Sequence, residues 1–424
     1  MPLSGWRERR WRAVAPGARA GWSLLAASAL IALSACGSSK STTTHAPAPA
    51  PPHHRASVDN FQWPYYGYDA ARTRFFAGRP GLAPPFRRGW SYQDYALLEF
   101  PPVMFRGSLY FIDFDGSAKR VDKANGHLVW QRKLGTLSAV TPAYDPTHRL
   151  VFFPLLSVTP GAHLPGNGRF VALSMKNGRV VWSHPLPPGS ESSPLVIGNS
   201  VYVGSQDGTV YSFRTSDGHV NWTFHAAGAV KGGPAYAAGK IYFGDYASRV
   251  YALSASTGRE QWATTTDGGA GTFYASPAVA FGKVFIGNTD DHVYAFSQSS
   301  GRLLWDTPTS AYVYSSPAVA DVPGLGPTVY SGSYDGDFYA LNANTGGVRW
   351  RHSSGGRISG SGTIIGNIVY YSVLGTKVTV GLSLRTGRVV FNFSDGEFAG
   401  VIADRHAVYA IGYSVIYQLL PKPR

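Results

Sequence analysis

Between residues 234 and 262 the apolar side chains fall in four short runs: Pro234-Ala235-Tyr236-Ala237, Ile241-Tyr242-Phe243-Gly244, Val250-Tyr251-Ala252-Leu253 and Glu260-Gln261-Trp262. Turns containing Gly, Asp and Ser separate them. Runs this short, rich in β-branched and aromatic residues and bounded by turn formers, predict strands rather than helices. The last two runs belong to the stretch Ala252-Leu253-Ser254-Ala255-Ser256-Thr257-Gly258-Arg259-Glu260-Gln261-Trp262. A near copy at Ala340–Trp350 repeats its Ala, Leu, Ala, Thr, Gly and Trp at the same offsets.

A turn Gly followed four residues later by Trp recurs at Gly126/Trp130, Gly178/Trp182, Gly218/Trp222, Gly258/Trp262, Gly301/Trp305 and Gly346/Trp350, and Gly387 is followed by Phe391. Trp90 stands alone upstream. The steps between these eight positions are 40, 52, 40, 40, 43, 45 and 41 residues. Four strands per period of this length describe a propeller blade, and the chain is expected to be all-β, an eight-bladed propeller of four-stranded antiparallel blades. Asp115-Gly116, Asp207-Gly208 and Asp335-Gly336 supply second-to-third strand turns that need positive φ. Each large ring at the Trp position is expected to bridge to the adjacent blade, so Trp90, Trp130, Trp182, Trp222, Trp262, Trp305, Trp350 and Phe391 are read as blade-docking residues. Residues 397–420 offer three strands with no Trp after them, and Trp90 has no three strands before it. The two ends therefore complete one blade, a clasp that removes open sheet edges and favours a monomer.

Composition agrees with strands and tight turns: aromatics make up 14%, charged residues 15%, and glycines number 50. The formal net charge is +14, of which Arg7, Arg9, Arg10, Arg12 and Arg19 against Glu8 contribute +4, leaving +10. Beyond that run, Lys and Arg are scattered singly over turns rather than gathered in a stripe. This argues against nucleic acid and for attraction to an anionic envelope surface.

The amino terminus adds an address. The Arg-rich run is followed by an apolar segment, Trp22 to Leu33, too short to span a bilayer, and then by Leu33-Ser34-Ala35-Cys36. Residues 1–35 read as an export signal. The end of the signal resembles a lipobox, which implies lipidation of Cys36, the only cysteine in the chain. With no second cysteine, no disulfide or thiol redox pair is available. Residues 36–56, rich in Ser, Thr, Ala, Pro and His, lack apolar periodicity and read as a tether. Residues 57–424 are expected to form the propeller. The expected location is a bacterial membrane, with the folded part in the periplasm or on the cell surface.

The eleven-residue motif resembles the repeat of pyrroloquinoline-quinone (PQQ) propellers and their cofactor-free relatives. The opening Trp63-Pro64-Tyr65-Tyr66-Gly67-Tyr68-Asp69 is similar to the start of that superfamily. With one domain and a lipobox, the chain most resembles the BamB-like lipoproteins, which implies a non-catalytic scaffold binding envelope proteins or peptide segments. The wider resemblance leaves two alternatives, a PQQ- and Ca²⁺-dependent dehydrogenase and an envelope sensor for a sugar or metabolite. The dehydrogenases imply a catalytic Asp, a Ca²⁺ site and, in many members, adjacent cysteines, which this chain cannot supply. No haem-attachment motif, Ca²⁺ loop, phosphate loop or nucleophile elbow occurs. The Asp residues sit mostly in turns, where a structural role accounts for them. No catalytic residue, metal ligand or cofactor is therefore assigned.

A binding face follows from blade geometry. The position three residues before the Pro that opens each first strand is expected to point at the central channel: Glu99, Ala139, Glu191, Lys231, Tyr274 and Tyr314, with Arg357 and Glu397 near the corresponding places. Blade two adds a Pro- and Gly-rich loop, Leu155 to Gly168, whose Leu155, Leu156 and Leu164 are read as part of the same face.

Overall fold

The computed structural model describes residues 59–79, 81–159, 166–266 and 270–423. These residues form eight sheets in a ring, and they contain no helix long and apolar enough to cross a membrane. Blade four is typical. Ala235–Ala237, Lys240–Gly244, Arg249–Ser254 and Glu260–Thr265 pair antiparallel in chain order from the axis outward. Blade eight joins the two ends as expected. Val401–Ala403, Val408–Ile411 and Val415–Pro421 provide its inner strands, and Phe86–Gln93 closes it from the outside with Phe86 opposite Pro421.

The Trp and Gly of one motif work in different seams. Each Trp ring lies on the turn Gly of the next blade: Trp90 on Gly126, Trp130 on Gly178, Trp182 on Gly218, Trp222 on Gly258, Trp262 on Gly301, Trp305 on Gly346 and Trp350 on Gly387. A Cβ on any of these glycines would lie 2.5–2.9 Å from the ring, and their φ of +67° to +77° is itself unfavourable to other residues. The indole N–H then donates to a carbonyl of the same turn, as Trp222 Nε1 does to Ala255 O at 3.1 Å and Trp262 Nε1 to Gln298 O at 3.1 Å. On its own sheet the Trp stands opposite a small residue in blades two to six, and opposite Arg120 in blade one; in blade four a register shift pairs Ala252 with Trp262 and Leu253 with Glu260.

This arrangement explains Phe391. The receiving turn in blade eight would join its third strand to its fourth, but those strands come from opposite ends of the chain. With no turn there is neither Gly to stack on nor carbonyl to accept, and Phe391 packs edge-on against Phe86, ring centroids 5.4 Å apart.

Blade one holds the joint through two buried lysines at opposite ends of one strand, Ser117–Asp122, and its following turn. Toward one end Lys119 Nζ sits 2.7 and 2.8 Å from the two oxygens of Asp94, which follows the closing strand of blade eight, and bonds Asp113 as well. Toward the other, Lys123 Nζ is 2.6 Å from Asp404 of blade eight and also pairs with Asp59. Burial acts to raise Asp404, but the bond and charge of Lys123, with two backbone N–H groups, hold its carboxyl below the ordinary range. Burial pushes Asp94 up in spite of Lys119, with Asp113 adding to the shift.

Three expectations follow. Trp262→Ala should lower unfolding free energy by ~3–5 kcal/mol and Trp262→Phe, which only orphans the Gln298 carbonyl, by ~1–2 kcal/mol, read from denaturant midpoints. Lys119→Met should cost ~3–5 kcal/mol because it leaves two buried carboxylates unpaired. Asp404, lowered in the fold, stabilises above its unfolded pKa, and that stability is lost as pH falls through the lower folded value. The acid limb of a stability–pH curve should therefore be shallower below about pH 4 in Asp404→Asn.

Candidate functional site

Along the axis the channel is occupied by the protein itself. The segment from Gln62 to Phe76 crosses the innermost strands: Gln62–Trp63 pairs with Val103–Phe105 of blade one, and Phe75–Phe76 runs parallel to Thr363–Ile365 of blade seven. Between them Ala70, Ala71, Thr73 and Arg74 carbonyls accept from the N–H groups of Tyr236, Val279, Val319 and Ile364, one from each of blades four to seven. This strap sends Arg72 and Arg74 into the core. Arg72 donates through Nε to Pro234 O (2.6 Å), through Nη1 to Tyr66 O (2.5 Å) and through Nη2 to Ser193 O (2.8 Å). Burial and the adjacent Arg74 push Arg72 down to about 9, so it remains charged at neutral pH. Blade four carries Gly233 where blades three, five and six carry Ser193, Ser276 and Ser316; a Cβ there would lie 2.7 Å from Arg72 Nη2. Arg74 stacks on the Tyr66 ring at 3.9 Å.

The mouth, which Tyr66 of the strap reaches from within, gathers most of the residues three before each first-strand Pro. Glu191 is buried and accepts from Gln206 Nε2 and Tyr274 OH, both at 3.1 Å, while Lys231 Nζ lies 3.6 Å from it and 4.8 Å from the centre of the Tyr246 ring. Tyr274 meets Tyr246 and Tyr314 at centroid distances of 6.5 and 5.4 Å, and Tyr314 meets Tyr312 and Tyr334 at 6.0 and 4.8 Å. Arg357 caps the row 5.8 Å over Tyr334. Burial, with the carboxylates of Glu191 and Glu99, drives Tyr274 well above its ordinary range, and burial with Tyr334 and Tyr312 pushes Tyr314 up to about 12. Both phenols are therefore donors near neutral pH. Glu397 is half-buried, with one carboxylate oxygen making no hydrogen bond among the described residues.

Three sequence-based candidates belong elsewhere. Leu155 and Leu156 are fully buried, Leu155 in the core between blades one and two and Leu156 with Leu137 and Ala139 under the rim. They pack the insertion down rather than offer a surface, and Ala139 is buried with them. Leu164 lies outside the described residues, as does Cys36.

The sequence reading missed Tyr246, Tyr334 and Gln206, although a signal was there. Each is the second residue of its second-to-third strand turn, and its N–H donates to the carbonyl two residues before a mouth residue: Gln206 to Gly189, Tyr246 to Ala229, Tyr334 to Tyr312. Aligning turns as well as first strands by blade would have found them. Arg72 and Arg74 lie outside the repeat and carried no such signal.

Eight four-stranded blades, seven of their seams locked by Trp on Gly, define a β-propeller of the PQQ-repeat type. Within that class the chain belongs to the family described as outer membrane protein assembly factor BamB, whose model matches residues 114–231 and 225–415. BamB from Moraxella catarrhalis superposes with a TM-score of 0.64 at 16% identity, covering 79% of this chain and 99% of that one. A europium-containing methanol dehydrogenase gives 0.69 at 13% identity, covering 82% and 89%, and a quinohemoprotein alcohol dehydrogenase from Comamonas testosteroni gives 0.68 at 14%, covering 86% and 81%. At these identities the likeness is one of fold. No curated protein matches the chain by sequence.

Arg72→Met should orphan at least three buried carbonyls and cost ~2–4 kcal/mol. Hydrogen exchange should show lost protection at the Tyr236, Val279, Val319 and Ile364 amides, with the outer-strand amides unchanged.

Proposed function

We propose that this protein is a non-catalytic scaffold of the cell envelope, tethered through a lipid on Cys36, which holds a protein partner on the mouth face. The reading rests above all on the filled axis. Inside the mouth, the space framed by Tyr66, Phe100, Glu191, Lys231, Tyr274 and Tyr314 has a free volume of about 20 Å³, room for about one water molecule. A flat tricyclic quinone bearing three carboxylates does not fit in this space beside these side chains. Among the described residues no three His, Cys, Asp or Glu side chains group to hold a metal ion. The residues present thus do not suit PQQ with Ca²⁺, and no chemistry is routed through it.

What the mouth offers instead is suited to a protein surface. Tyr and Arg are residue types that concentrate binding energy at interfaces, Tyr because its rigid ring buries large area at small entropic cost and Arg because its planar fork makes several hydrogen bonds at once. Tyr95 beside the clasp, Tyr312 at the end of the row and Tyr413 of blade eight are exposed as well. The BamB family membership and the lipobox-like Leu33-Ser34-Ala35-Cys36 favour a partner in the envelope.

The test is affinity capture from envelope extracts with the parent and a Tyr312→Ala/Arg357→Glu variant, alongside equilibrium dialysis against PQQ and Ca²⁺. A specific envelope protein should be captured and depleted at least ~10-fold by the double variant, as for loss of interface anchors. PQQ should not be retained. Retention of stoichiometric PQQ with dye-linked alcohol or sugar oxidation would overturn the proposal, as would identical capture by the two proteins.

A further inference from the structure

The propeller is polarised along its axis. Turns between second and third strands open at the mouth and carry acids in five blades, among them Asp115, Asp207, Asp245, Asp290 and Asp335. Turns between first and second and between third and fourth strands open on the opposite face and carry most of the bases that lie in blade turns. Residues that look scattered along the chain are brought together because the repeat returns each turn type to the same side.

The basic face is not uniform. Exposed bases without an ion-pair partner among the described residues include Arg106 of blade one, Arg149 and Arg179 of blade two, Arg385 and Arg388 of blade seven and Arg405 of blade eight. Two acids beside these bases are withdrawn, Asp145 buried against His148 and Asp404 against Lys123, while Asp122 of blade one is half-buried and Asp321 of blade six is exposed. Directly after the third-to-fourth strand turn, blades one, two and seven bear aliphatic pairs facing solvent: Leu128-Val129, Val180-Val181 and Val389-Val390 are 42–56% exposed. Blade six adds Val348 and blade five Phe281 at a turn tip. Blades three and four break the pattern, with Arg214 paired to Asp217 in one and Glu260-Gln261 after the turn in the other. The arc thus runs from blade five through eight to two. Asp59 and Asn60, where the described chain begins, sit on it, against Lys123 and Arg405 respectively.

We infer that this arc docks face-down on an anionic phospholipid bilayer. Bases alone would suit any polyanion. Aliphatic pairs set among them favour a surface with an apolar layer beneath its phosphates, since a phosphodiester backbone offers such side chains nothing to bury against. The inference is independent of whatever occupies the mouth.

The experiment uses the full chain with Cys36→Ser and a single new cysteine carrying an environment-sensitive fluorophore, at Val389→Cys on the arc, Gln261→Cys on blade four or Tyr95→Cys at the mouth. The probes are vesicles of phosphatidylcholine alone or with 30 mol% phosphatidylglycerol, and a 40-base-pair DNA duplex. Because the label reports only its own surroundings, attachment of the vesicles elsewhere on the chain does not mimic docking. The label at 389 should blue-shift on phosphatidylglycerol vesicles only, and the shift should fade as salt rises toward about 1 M. Reversal by Arg179→Glu/Arg388→Glu should weaken the response at least ~10-fold, whereas Arg179→Lys/Arg388→Lys should keep it. Equal shifts at all three labels, equal response to phosphatidylcholine alone, an unchanged response in the Glu variant, or an equal response to DNA would each overturn the inference.

Discussion

The seam between blades depends on a ring laid over a missing side chain. Sheet faces alone would let adjacent blades slide, because aliphatic surfaces pack in several registers at similar cost. The Trp on Gly contact does not permit that. The ring covers a backbone that has no Cβ, and the indole N–H reaches the carbonyl beside it, so lateral position and depth are fixed together. Seven repetitions give a ring whose blades stand at one spacing. Only against this rigid frame can the residues ahead of each first strand converge on one mouth.

The eighth seam shows what the contact replaces. Phe391 buries area without a directional bond, and the adjoining joint between blades eight and one adds the buried lysine pairs to its own Trp90 contact. Buried ion pairs add little net stability against apolar packing, but breaking one is costly and geometry is demanding, which makes them suited to enforcing a single register where chain ends meet. Lys119 and Lys123 lie on the same short stretch and reach opposite ends of the joint.

Much of this was legible in the sequence because a repeat turns one observation into eight. The Trp spacing gives the blade count, the lone Trp90 gives the clasp, and the residue three before each Pro leads to Glu191, Lys231, Tyr274 and Tyr314. What was not legible lies outside the period or depends on contacts across it. Leu155 and Leu156 look like an exposed insertion because Pro and Gly follow them, and only packing against Ala139 and Leu137 shows them buried. Arg72 and Arg74 belong to a segment that occurs once. The bases seemed dispersed because linear distance hides the forty-residue return of each turn.

The clasp also sets an order of events. Phe86–Gln93 is among the first strands made, yet its partner Val415–Pro421 is the last. Until the end of the chain has emerged, seven blades can assemble while an unpaired strand edge waits at each side of the gap, the condition most prone to mispairing with other chains. A protein built this way has a period of vulnerability as long as its own synthesis, and a truncation of even a dozen carboxy-terminal residues would leave that period without an end.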